Sequence, residues 1–144
     1  MEVSRKGSVV LLRLNHDEDI LASIENAVER ERYTMLVATG VGMIHNFELG
    51  YFDEGKYLTK VYRAPHELLS LQGSIASEGE PRIHIHATVA DTKHWAFGGH
   101  LMRGKVWMSN EIGLIRLEGG FSKRSMDPKK KVSVLRIEGP TTSR

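Results

Sequence analysis

Cysteine is absent from the 144 residues. That excludes disulfide scaffolds, thiolate zinc sites and cysteine nucleophiles. Also missing is any apolar run long enough to span a bilayer, and the N-terminus lacks the pattern of a signal peptide. The expectation is a cytoplasmic protein without membrane contact. Charge of one sign is scarce as well: 20 Lys and Arg face 18 Asp and Glu, a net of +2. So small an excess does not draw the whole chain to nucleic acid, and local clusters matter more.

Several chemistry-bearing motifs are lacking too. Gly40-Val41-Gly42 follows a strand-like run, but no third glycine and no helix come after it, so a dinucleotide fold is unsupported. There is no Gly-Lys-Ser/Thr of a phosphate loop and no serine in a nucleophile-elbow setting. Glu67 and Glu111 stand in apolar surroundings and form a candidate acid/base pair. Salt-bridged or hydrogen-bonded sheet residues are the commoner explanation of such glutamates.

What is there is the composition of an ordinary globule, 40% hydrophobic and 26% charged. The length suits one domain over residues 1–144, with a core at about 7–138 and a short frayed tail from Pro140 to Arg144. Gly7–Leu14 reads as a buried strand. Ile20, Leu21, Ile24, Ala27 and Val28 then share one face of a helix expected over about 17–32. Asn15 or Asp17 is its expected cap, with Asp17, Glu18 and Asp19 at the positive end of the dipole and Arg30 and Arg32 at the other. Strand-like runs follow at Tyr33–Thr39, Ile44–Phe52, Lys56–Arg63, Leu68–Ala76, Arg82–Ala90, Lys105–Leu117 and Val132–Glu138. Turn signals separate them, among them Gly98-Gly99 and Gly119-Gly120. Phe121–Lys131 reads as a basic loop. This order predicts an α+β, sandwich-like domain: a mostly antiparallel sheet with one main packed helix.

The segment Arg82–Ala90 carries the chemistry. Residues two apart on a strand share a face, so Ile83, Ile85, Ala87 and Val89 point to a core while Arg82, His84, His86 and Thr88 point away. Two imidazoles at i and i+2 project side by side, close enough to chelate one ion. His100 follows Gly98-Gly99, whose flexibility lets it return to the same face. Three neutral imidazoles with an open fourth position suit zinc, and also nickel, copper or iron. Zinc is the expected occupant. His94, in the loop Asp91–Gly99, is a candidate fourth or occluding ligand, and Glu111 is the carboxylate to look for beside the metal. His16, His45 and His66 sit at element ends and read as structural or exposed.

Several stretches together resemble the plants-and-prokaryotes-conserved (PPC) domain. They are Gly40-Val41-Gly42 with Leu49-Gly50-Tyr51, Glu67-Leu68-Leu69-Ser70-Leu71-Gln72-Gly73-Ser74-Ile75, His84-Ile85-His86, Gly98-Gly99-His100-Leu101, and finally Val106 and Glu111. The family occurs alone in archaea and bacteria and joined to AT-hooks in plant nuclear proteins. The resemblance implies a compact α/β domain that assembles as a homotrimer, with a histidine set in the stand-alone branch that could hold a metal. It further implies an assembly or partner role for Glu67, Leu69, Ser70 and Leu71. Leu68–Ala76, apolar for so small a protein, fits burial between copies. DNA binding in the family rests largely on the AT-hook's R-G-R-P sequence, which this chain lacks. Any DNA contact through Lys123, Arg124 and Lys129–Lys131 is thus expected to be weak and non-specific.

The reading is a metal-binding homotrimer without an assigned reaction or small-molecule ligand. The alternatives are a metal-dependent enzyme with water at the open position and a DNA-associated regulator. A cupin, whose H-x-H also lies on a strand, is disfavoured by the helix and by the missing downstream signature.

Overall fold

The computed structural model describes residues 1–138. Its elements in chain order are β1 (Glu2–Lys6), β2 (Val9–Asn15), α1 (Ile20–Val28), β3 (Met35–Asp53), β4 (Lys56–Tyr62), β5 (His66–Ile75), β6 (Ile83–Ala90), β7 (Ala96–Arg116), β8 (Phe121–Asp127) and β9 (Val132–Glu138). The sequence expectation predicts runs close to β2, β4, β5, β6 and β9. The Pro140–Arg144 tail lies outside the described residues.

The expected α+β, sandwich-like balance is corrected by one nine-residue helix against nine strands. The described residues form an antiparallel β fold carrying a single packed helix. The helix is shorter than 17–32 because its apolar stripe ends at Val28, leaving Glu29-Arg30-Glu31-Arg32 with no apolar side to bury. Its cap is Asp19, whose carboxylate accepts the Ala22 amide at 2.9 Å, rather than Asn15 or Asp17. Asp17 lies before the helix in a left-handed conformation, φ 65°.

All main-sheet pairings are antiparallel, in the order β1-β2-β7-β6-β5-β3-β4. A further pairing of β3 with β7 joins β7, β6, β5 and β3 into a closed ring. The ring encloses one core and leaves β1 and β4 as the outer strands. Val37, Ile44, Phe47, Leu71, Ile85 and Leu101 are buried within it, and α1 covers β2 and β7 with Ile20, Ile24 and Val28.

One expected turn, Gly98-Gly99, and the Gly40-Val41-Gly42 segment between two expected strands prove to be strand interior. β3 runs through Gly40-Val41-Gly42 and β7 runs through Gly98-Gly99. The glycines serve close packing there: a Cβ on Gly98 would collide with the Ala87 carbonyl oxygen across the sheet. Phe121–Lys131 is likewise no loop. It supplies β8 and the turn of a hairpin with β9, pairing Phe121 with Glu138 through to Asp127 with Val132.

Candidate metal centre

β6 alternates as its sequence demands. Ile85, Ala87 and Val89 are buried, while His84 and His86 lie on the opposite face. His86 is registered directly against His100 of β7, so the third imidazole arrives from the neighbouring strand with no turn required. One potential ligand nitrogen from each ring of His84, His86 and His100 lies within 4.8 Å of the other two. The Nε2 atoms of His84 and His86 are 3.3 Å apart. Tetrahedral zinc–nitrogen bonds of about 2.0–2.1 Å imply a nitrogen–nitrogen edge of roughly 3.3–3.4 Å. That first pair already spans such an edge.

The surroundings favour neutral, ligand-ready rings. Burial, helped by the neighbouring His84, His86 and Arg124, lowers the His100 pKa to about 4. Burial first, then Arg124 and His86, also lowers that of His84. Among the described residues His100 Nδ1 is buried without a hydrogen-bond partner, so its lone pair is uncommitted. Tyr57 of β4 stacks on the His100 ring at 5.0 Å and 28°, limiting its rotation. The donor set and its electrostatics therefore fit a divalent ion.

The other candidates lie elsewhere. His94 is exposed at the tip of the β6–β7 hairpin, where its amide donates to the Asp91 carbonyl at 2.9 Å. Glu111 is eleven positions along β7 from His100, on the order of 30 Å at strand spacing, and faces Arg13 and Val41. Within the described chain neither joins the triad. Nor do Glu67 and Glu111 meet as an acid/base pair: Glu67 is registered against Ala90 and Met43, Glu111 against Arg13 and Val41. Glu67 and Leu69 are exposed on β5, Ser70 is half-buried and Leu71 is sealed in the core. His16 and His45 stack at 5.5 Å beside Trp107, apart from the site. His66 packs on Phe47 and Tyr62.

The sequence reading missed Arg124. It stood within a basic run, yet Ser122 and Arg124 are buried while Lys123 is exposed, a strand alternation visible in Phe121–Asp127. Arg124 thus points inward toward the triad's pocket and leaves the solvent-facing cluster to the lysines.

No curated protein matches the chain. Solved structures do. A plant- and prokaryote-conserved (PPC) protein of Pyrococcus horikoshii is 26% identical, with TM-score 0.78, over 94% of this chain and 93% of the other. A Ralstonia eutropha JMP134 protein, described provisionally as DNA-binding, is 25% identical, with TM-score 0.82, over 94% and 96%. A protein of Archaeoglobus fulgidus described as metal-containing shares the fold at 24% identity, TM-score 0.79, over 94% and 95%. The model of the Plants and Prokaryotes Conserved (PCC) domain matches residues 1–118, a stretch that holds the closed sheet and all three histidines, and the chain belongs to that family.

Proposed function

We propose that this protein is a metal-binding, trimeric PCC-domain protein whose ion, zinc, is held by His84, His86 and His100. The observation that carries the reading is the convergence of three imidazole nitrogens within 4.8 Å on a rigid two-strand platform. Three neutral ligands leave a fourth position for water or an anion, and the bound ion would polarise whatever sits there. The metal-containing description of the A. fulgidus protein agrees with this. Metal-stripped protein titrated with zinc should bind about one ion per chain by calorimetry and elemental analysis. His86→Ala should lose that stoichiometric ion and remain folded, because its side chain is exposed. A full metal load in His86→Ala would show the ligand assignment to be wrong.

The trimer is supported by an uncovered apolar face. Val9, Leu11, Leu36, Val41 and Ile115 are each 38–53% exposed. Register places Ile115 between Val9 and Leu36 on adjacent strands of one face. Leu68–Ala76, expected to need a second copy, is covered within the protomer except at Leu69 and Gln72 among its larger side chains. A second reading, non-specific DNA binding, rests on exposed Lys123, Lys129, Lys130 and Lys131 and on the description of the R. eutropha protein. Such binding should collapse between roughly 50 and 200 mM salt. A sequence-selective, salt-resistant gel shift would contradict its electrostatic character.

A further inference from the structure

The β8–β9 hairpin lies beyond the residues the family model matches and walls a pocket over His84 and His100. The pocket encloses about 320 Å³. That volume is at the small end of the range for organic ligands. Phe52, Tyr57, Ile83, Met102 and Val132 give it an apolar lining.

Its charges all have one sign. Its charged lining residues are buried Arg124 and the exposed Lys56 and Lys131, and no Asp or Glu lines the space. Arg124 is the only arginine classed as buried among the described residues, at 4% exposure. Its Nε donates to the Arg82 carbonyl at 3.2 Å and its Nη2 to Ser74 Oγ at 2.6 Å, both neutral acceptors. Arg13, Arg82, Arg103 and Arg116, all more exposed, each face a carboxylate. No carboxylate within the described chain pairs with Arg124. A buried guanidinium without a counter-anion is costly, and its planar fork suits a carboxylate. A divalent ion on three neutral imidazoles would add positive charge beside it.

We propose that this pocket takes a small organic monocarboxylate, its carboxylate held by Arg124 beside the metal centre and its apolar body packed against Phe52, Tyr57 and Val132. The inference rests on the metal-centre reading for its full affinity and on Arg124 for its charge selectivity. The ligand's negative charge would supply what the triad and the arginine lack, and the hairpin would supply the wall that keeps water from its body.

Phenylacetate is a probe of suitable size, with 2-phenylethanol and phenethylamine as its neutral and cationic counterparts. Titrated into protein of measured zinc content, phenylacetate should bind at least tenfold more tightly than either counterpart. Arg124→Lys, which keeps the charge but loses the fork, should weaken phenylacetate about tenfold without changing zinc content. Met102→Trp, which fills the pocket from an exposed position, should do the same if Arg124→Lys does not fold. Zinc-loaded protein that binds phenylacetate no better than the alcohol would overturn the inference and leave the metal centre standing. Inorganic phosphate competing as strongly as phenylacetate would also overturn it, by reducing the pocket to a simple anion hole. If the protein holds no zinc, the metal reading fails by itself. Phenylacetate must then still bind, more weakly, in an Arg124-dependent way, and its failure to do so would sink the inference as well.

Discussion

His100 shows how one side chain links burial to acid stability. Its folded pKa of about 4 lies below the ordinary 6.5, because desolvation and three cationic or potentially cationic neighbours oppose the charged ring. The unfolded chain therefore binds more protons than the folded one between those values. Stability is full above about 6.5 and falls as pH drops toward 4, by at most about 3 kcal/mol. Thermal melts of the metal-free protein should show this decline, and His100→Gln should flatten it. An unchanged slope in His100→Gln would assign the acid lability to other groups. The triad was legible in sequence because the alternation around His84 and His86 is clean and His100 follows at hairpin distance. Arg124 was not: nothing in a basic run says which member turns inward until Phe121–Asp127 is recognised as a strand paired with Val132–Glu138.

Among the elements, β6 and β7 make the site, and their separation is set at Gly98. Ala87 and Thr88 crowd the place where a Cβ would sit, the Thr88 Cα at 3.2 Å. Gly98→Ala should push the strands apart two positions from the His86–His100 pair, costing about 1–3 kcal/mol. Zinc affinity should fall with it, and calorimetry beside thermal melts would read both changes. Wild-type zinc binding in Gly98→Ala would mean that strand separation does not govern the triad. The same glycines misled the sequence reading, because Gly-Gly is a turn signal by composition and a close-approach device by context. β7 was expected to start only at Lys105 for this reason, although it begins at Ala96 and runs through Gly98-Gly99; β3 was expected as two runs, Tyr33–Thr39 and Ile44–Phe52, although it is one long strand. The helix was legible from its apolar stripe but overextended, since charged residues can flank a helix without belonging to it.

For the molecule as a whole, the outer face of β2, β7 and β3 is the broad apolar surface that the protomer leaves uncovered. An exposed row of Val9, Ile115 and Leu36, extended by Leu11 and Val41, favours burial against further copies. Light scattering at micromolar concentration should give about three times the 16.2 kDa of one chain. Leu36→Lys should shift that mass toward one chain without unfolding the protomer, since Leu36 is 40% exposed. A monomeric wild type would leave the apolar row without this explanation. No described helix is long and apolar enough to cross a membrane.

β7 pairs with β2, β3 and β6, and it also carries His100. During synthesis from the N-terminus, β2 therefore has only β1 beside it, and β3 only β4 and β5, until β7 emerges. Val9 must then find Ile115, and Met35 must find Arg116, across most of the chain already made. Such distant pairings make closure the slow stage of folding. The strand that closes the ring is also the one that brings the third imidazole, so the three histidines come together only as the fold is being completed.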